Sequence, residues 1–151
     1  MKDFSESPII DIINLQRKVE IDIPAYRSFI EEVFKTVNEV AGRRASVAFV
    51  SSNRIKDLNQ LFRGKAIATD VLSFPHEADD FDPDKEFLGD IIISAEQALR
   101  QARENGLNLE MEIKQLILHG ILHLSGYDHE SDTGEMTTRE LELRDDLRIE
   151  A

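Results

Sequence analysis

The sequence lacks several features that would place it in a familiar structural class. It has no cysteine among its 151 residues, which excludes disulfide scaffolds, thiolate zinc sites and cysteine nucleophiles. Its longest near-apolar run, Leu116 to Leu124, is far shorter than the ~20 residues of a membrane-spanning helix. The N-terminal residues have no apolar signal region, so we expect a cytoplasmic protein without a membrane partner.

Basic residues are also scarce, with 18 lysines and arginines against 30 acidic residues and a net charge of −12. This balance disfavours extended contacts with nucleic acid, because phosphate binding depends on lysine and arginine, and we expect no DNA partner. The exception is the segment 43–65, which has six basic residues and the single acid Asp57. The segment is either a solvated surface or one face of a dipolar molecule suited to polyanions.

The remaining composition is that of an ordinary globular protein, with 41% hydrophobic and 32% charged residues. A chain of this length can bury one hydrophobic core, and we find no internal repeat and no linker-like segment. The sequence therefore predicts one domain over residues 1–151 with an α+β fold. It predicts about five helices and a mixed sheet of about four strands.

The individual elements follow from apolar spacing, capping residues and helix breakers. The predicted strands cover residues 9–13, 45–50, 71–74 and 88–93. The predicted helices run from Pro24 to Gly42, from 55 to 62, from Ser94 to Asn105, from Asn108 to Ser125 and from 133 to 149. Residues 76–87 are acidic and contain Pro83, which predicts an exposed loop.

The fourth predicted helix contains two histidines within an otherwise apolar stretch. From Leu116 to Leu124 every residue except His119 and His123 is apolar or glycine, a pattern typical of a buried central helix. Buried imidazoles are costly unless each nitrogen finds a partner. A separation of four residues places both on one face, with Cβ atoms roughly 5–6 Å apart, which suits joint binding of one metal ion.

A third histidine, His129, follows the helix after five intervening residues. A continuous helix would carry it about 15 Å beyond His119, so the chain must fold back. Gly126 can adopt the left-handed conformation that such a helix end needs. Three neutral imidazoles suit one Zn²⁺ per chain, with a fourth position open to water as in catalytic zinc sites. The spacing therefore predicts a zinc site at His119, His123 and His129.

This spacing is that of the metzincin proteases, with one departure at the general base. The protease glutamate is replaced by Gly120, so peptide hydrolysis by that route would lack its base. A glycine inside a helix costs about 1 kcal/mol relative to alanine. Gly120 therefore indicates close approach of another chain segment or of a substrate. The alternative to a metal site is that the histidines only satisfy hydrogen bonds in the core.

Three segments of the sequence resemble the YbeY family of rRNA maturation factors. The most specific is HGILHLSGYDH, which covers residues 119–129. The second consists of LNQLFRGK over residues 58–65 and TDVLSFP over residues 69–75, and the third is LGDIIIS over residues 88–94. The resemblance spans roughly residues 45–130.

The resemblance implies a zinc-dependent endoribonuclease that is specific for single-stranded RNA. The implied role is 3′-end maturation of small-subunit (16S) rRNA and ribosome quality control, with the small ribosomal subunit and its associated proteins as partners. The three histidines would bind the metal. Arg63 would be the catalytic arginine, whose guanidinium stabilises phosphate charge in the transition state. Asp70 and Asp128 are candidates to orient a metal-bound histidine.

Two other interpretations stay open at this point. The first is a ribosome-assembly binding factor whose zinc is structural, and the second is a metallohydrolase that acts on another ester or amide. The net charge of −12 favours a protein partner or a limited RNA footprint over broad RNA binding. The sequence assigns neither a general base nor a leaving-group acid.

Overall fold

A computed structural model describes residues 12–77, 81, 86–127 and 133–149 of the chain. The strands are β1 (Ile12–Asn14), β2 (Arg44–Val50), β3 (Val71–Pro75) and β4 (Phe87–Ser94). The helices are α1 (Ile23–Thr36), α2 (Ser52–Arg63), α3 (Ala95–Asn105), α4 (Leu109–Leu124) and α5 (Glu135–Asp146), with a short 3-10 helix at Asn38–Val40. The predicted α+β fold is therefore confirmed. Within the described residues no helix is long and apolar enough to cross a membrane.

The four strands form one mixed sheet in the order β1-β2-β4-β3. β2 runs parallel to both β1 and β4, whereas β3 runs antiparallel to β4. The register places Val47 opposite Ile91 and Leu72 opposite Ile92. β3 is consequently the terminal strand of the sheet, next to its central strand β4.

Helices cover both faces of this sheet because alternate strand residues point in opposite directions. Ile91 and Ile93 are fully buried in the main core, which contains apolar residues of α1, α3 and α4. Ile92 faces the other side, where it packs with Leu72 against Ile55 of α2. α2 and α4 therefore lie on opposite faces of the sheet.

The helix predicted from Pro24 to Gly42 is wrong at its C-terminal end. α1 ends at Thr36, Val37 is extended with φ −86° and ψ 113°, and the 3-10 helix follows. Val33, Val37 and Val40 are all fully buried. The apolar spacing was therefore correct, but the β-branched valines are poor helix formers, and the tighter turn buries Val40 without a continuous α-helix.

The caps predicted for the central helices are confirmed. The Ser94 hydroxyl accepts a hydrogen bond from the Gln97 amide at 3.2 Å at the start of α3. The Asn108 side chain accepts one from the Met111 amide at 2.8 Å at the start of α4. These bonds satisfy amide donors that a helix N-terminus leaves unpaired, and they fix where the α4 histidines fall.

The other boundaries agree with the predictions to within one residue for β2, β3 and β4. The helix predicted over 55–62 begins earlier, at Ser52, and the helix predicted over 133–149 is shorter and ends at Asp146. The first predicted strand covers residues 9–13, of which 9–11 lie outside the described residues, and β1 extends to Asn14. α5 begins at Glu135, and Gly134 precedes it with φ 112°. Most of the predicted acidic loop also lies outside the described residues; His76, Glu77, Phe81 and Glu86, which are described, are exposed.

Candidate functional site

The central helix α4 places the two predicted histidine ligands on its more open side. Its buried residues are the apolar ones together with Gly120 and Glu112, whereas His119 and His123 are partly exposed. They stand one turn apart on one helix face, as the spacing predicted. The helix therefore combines an apolar side that anchors it in the core with an imidazole side that faces outwards.

Gly120 lies between these histidines in sequence, on the part of α4 that packs closely against the sheet. A Cβ atom at this position would lie 3.1 Å from the Cδ1 atom of Ile91 in β4. The glycine therefore lets α4 pack closely against the central strand. Of the two explanations that the sequence offered, the close approach of another chain segment is the one observed.

Glu140 of α5 forms a hydrogen bond with His119. Its Oε1 atom lies 2.9 Å from Nδ1 of His119, and its Oε2 atom accepts a bond from the Arg144 guanidinium at 3.2 Å. The side chains are 12% exposed for Glu140 and 34% for His119. An ionised carboxylate can only accept, so this geometry favours donation from Nδ1, and in the neutral ring with that tautomer the lone pair is on Nε2. In that tautomer Nε2 is the ring nitrogen whose electron pair can bind a metal ion.

A cleft of about 220 Å³ opens beside His119, between β3, α3, α4 and α5. Its lining consists of Asp70, Val71, Gln101, Glu112, Gln115, Leu116, His119, Glu140 and Arg144. Three of these side chains are carboxylates, and they come from the residue before β3, from α4 and from α5. The cleft is thus a polar cavity with an imidazole at its wall.

Glu112 is the most buried carboxyl group of this cleft, with 5% of the residue exposed. It lies two turns before His119 on α4. Burial raises its pKa, and the charge of Asp70 adds to this effect. When its amide donates, Gln101 lies 3.0 Å from Oε1 of Glu112 and 3.2 Å from Oδ2 of Asp70. Glu112 therefore retains a proton to higher pH than an exposed glutamate does.

A second ionic cluster joins α5 to the 3-10 helix and to the residue that follows α4. Arg139 donates two hydrogen bonds to Glu39, at 2.7 and 2.8 Å. The Tyr127 hydroxyl donates to the same carboxylate at 3.1 Å. The paired guanidinium lowers the pKa of Glu39, as expected for a bidentate pair. α5 is thereby tied to the end of α4 near His119.

The third predicted ligand, His129, lies outside the described residues, as does Asp128. The predicted helix end is observed before that point, since α4 ends at Leu124 and Gly126 has a positive φ of 118°. Among the described residues no group of three or more histidine or acidic side chains is placed to hold a metal ion. His119 and His123 nevertheless fit zinc by their donor chemistry and spacing. The three-histidine site therefore stays a prediction.

Arg63 is the last residue of α2 and is exposed. Its helix α2 packs on the face of the sheet opposite α4. Phe62, the neighbour of Arg63 in α2, contacts β3, because its ring packs edge-on against the ring of Phe74 with 5.2 Å between the centroids. Three residues earlier, Val71 of the same strand lines the cleft.

Asp70, a candidate to orient a histidine, has other partners. Its Oδ1 atom accepts a hydrogen bond from the Val71 amide at 2.8 Å, and its Oδ2 atom faces Gln101. Among the described residues, Glu140 forms a hydrogen bond with His119, and the sequence did not indicate this residue. Glu112 carried a detectable signal, since it lies seven residues before His119 on one helix face. Glu140 carried none, because it is 21 residues away on another helix.

Comparison with known proteins relates the chain to one enzyme family over nearly all of its length. The model of the family described as endoribonuclease YbeY matches residues 11–148. The endoribonuclease YbeY of Carboxydothermus hydrogenoformans is 42% identical over 144 residues, which cover 93% of this chain and 98% of that protein. The endoribonuclease YbeY of Koribacter versatilis is 47% identical over 113 residues, or 74% of this chain and 70% of the relative.

A solved structure shows the same fold. The solution structure of TM1509 from Thermotoga maritima superposes with a TM-score of 0.65 at 30% sequence identity. The match covers 92% of this chain and 89% of the Thermotoga protein. The α+β arrangement of sheet and helices is therefore shared with an experimentally solved protein.

Proposed function

Because this chain belongs to the YbeY endoribonuclease family, we propose that it is a zinc-dependent endoribonuclease that cleaves single-stranded RNA in the cytoplasm. Its substrate is the 3′ end of small-subunit rRNA, and its partners are the small ribosomal subunit and associated proteins that take part in ribosome quality control. The observation that carries the proposal is the histidine pair on α4, whose first member contacts Glu140 at 2.9 Å beside a polar cleft.

In this proposal His119, His123 and His129 hold one zinc ion. The chemistry that zinc supplies in such a site is acidification of water and polarisation of a phosphoryl oxygen. Glu140 keeps the proton on Nδ1 of His119, so Nε2 is the nitrogen that would bind the metal through its electron pair. Glu112, whose pKa is raised by burial, retains a proton inside the cleft to higher pH than an exposed glutamate does.

Arg63 binds phosphate in this proposal. It belongs to the basic segment 43–65, and Lys65 lies two residues further along. A guanidinium matches the geometry of a phosphate group and stays charged at all relevant pH values. Because α2 and α4 pack on opposite faces of the sheet, an RNA strand that contacts both Arg63 and the cleft would have to bend between them. A duplex is wider and stiffer, which accounts for the preference for single strands.

Metal removal tests the proposal directly. We expect one zinc per chain by elemental analysis, and cleavage of a single-stranded RNA but not of the same sequence in a duplex. Dialysis against a chelator should abolish cleavage, and added Zn²⁺ should restore it. Full cleavage by the metal-free protein would contradict metal dependence. Stable zinc binding and cosedimentation with small subunits without any turnover would instead favour an assembly factor with structural zinc.

Charge reversal at Arg63 tests its role separately from the metal. Arg63→Glu should reduce cleavage of single-stranded RNA by about 100-fold or more, since it replaces a phosphate ligand with a repulsive charge. Zinc content and the urea unfolding curve should stay unchanged, because the side chain is exposed. The matched control is Arg54→Glu, an exposed arginine on the same helix. Loss of zinc in the Arg63 variant would show a structural role instead.

A further inference from the structure

We infer that Glu140 is a positioning residue for His119, held in place by the docking of α5. In this view the carboxylate fixes the tautomer and the orientation of the imidazole, so that Nε2 points into the cleft. The inference deepens the proposed function, because it assigns a chain segment outside the histidine motif to the same site. Its first part, the tautomer of His119, does not depend on RNA cleavage.

Glu140 lies on the buried face of α5. Met136 and Leu143 of this helix are buried in the main core, with 2% and 3% exposed. Glu140 lies between them at helical spacing, on the face that an amphipathic helix normally fills with apolar residues. A charged side chain at such a position is costly unless it is paired. The contact with His119 provides a pairing that explains its presence.

The carboxylate of Glu140 is restrained through both of its oxygen atoms. One oxygen contacts Nδ1 of His119 at 2.9 Å, and the other accepts from Arg144 at 3.2 Å, one turn later on α5. With both oxygens engaged and the side chain 12% exposed, its rotation is limited. A hydrogen bond from an imidazole to a shielded carboxylate is also stronger than one in water.

α5 itself is fixed against the rest of the molecule by an ion pair and by apolar contacts. Arg139, the neighbour of Glu140, makes the bidentate pair with Glu39 at 2.7 and 2.8 Å. The apolar contacts of Met136 and Leu143 hold the same helix in the core. Two consecutive residues of α5 thus link the helix to two different parts of the chain. The orientation of His119 consequently depends on how α5 is docked.

The tautomer of His119 can be observed by NMR in ¹⁵N-labelled, metal-free protein at about pH 8.5, where a histidine is neutral. Long-range ¹H–¹⁵N spectra, assigned with His119→Asn, should show the proton on Nδ1 in the unaltered chain. In Glu140→Ala the Nε2-protonated form should become the main species. Affinity for Zn²⁺, measured by chelator competition, should fall by about 10–100-fold, as for other partners of metal-binding histidines.

The matched control is Glu142→Ala, which removes a carboxylate that is 58% exposed on the same helix. It should leave the tautomer and the zinc affinity unchanged. If Glu140→Ala does not fold, Glu140→Gln keeps the side-chain volume, and its amide, which can donate to Nδ1, should also raise the Nε2-protonated fraction. An Nε2-protonated His119 in the unaltered chain, or no change in either Glu140 variant, would overturn the inference. The expected tautomer in a protein that binds no zinc would instead refute only the proposed function.

Discussion

Replacing His123 with alanine should abolish RNA cleavage while leaving the fold intact. The substitution removes one of the two described imidazoles on α4, so zinc content should fall from about one per chain towards zero. If the metal contributes about 4 kcal/mol to transition-state stabilisation, its loss lowers the rate by about 10³-fold. Alanine is a better helix former than histidine, and His123 is partly exposed. The thermal unfolding of the metal-free protein should therefore change little.

His76→Ala is the control for this experiment. His76 is exposed, and its ring packs against Phe87 at 5.3 Å, outside α4. This variant should keep both zinc and cleavage, which separates loss of a ligand from loss of any histidine. Elemental analysis and cleavage of an end-labelled single-stranded RNA measure the two quantities. Equal cleavage by the His123 variant and the unaltered chain would refute the assignment of the active site.

The parts of the fold that depend on local sequence could be predicted. Helix α4 and its Asn108 cap follow from the spacing of apolar residues and from the capping residue, both of which act within a few positions. The end of α1 could not be predicted in this way. Val33, Val37 and Val40 fit a helix by spacing alone, and this spacing does not show that an extended Val37 and a 3-10 helix can bury the same three valines.

The candidate site shows the same division between local and distant interactions. The histidine pair could be predicted, because both ligands lie on one helix and their spacing determines their common face. The pairing of His119 with Glu140 could not, since it depends on how α5 docks. Arg139 and Glu39 are 100 residues apart in sequence, and no local pattern indicates which acid a given arginine will contact.

Gly89→Ala should strongly destabilise the protein, because the sheet leaves no room for a side chain at this position. A Cβ atom there would lie 2.2 Å from the Phe74 carbonyl oxygen and 3.0 Å from the His76 nitrogen, both backbone atoms of the neighbouring strand or its end. Gly89 also has φ 146°, a conformation that alanine rarely adopts. The backbone strain and the steric clash together should lower the free energy of unfolding by about 3 kcal/mol or more. Urea unfolding measures this quantity.

The effect should extend to the candidate site, because the strand that must move is β3. Its first residue, Val71, lines the cleft beside His119, so hydrogen exchange at the β3 and β4 amides should accelerate with the loss of stability. The matched control is Gly106→Ala, where φ is +67° but nothing lies within 4 Å of the added Cβ. That variant has the backbone strain without the steric clash, so its free energy of unfolding should fall by only about 1 kcal/mol. Equal destabilisation by both substitutions would mean that β3 and β4 do not approach each other at Gly89 as closely as described.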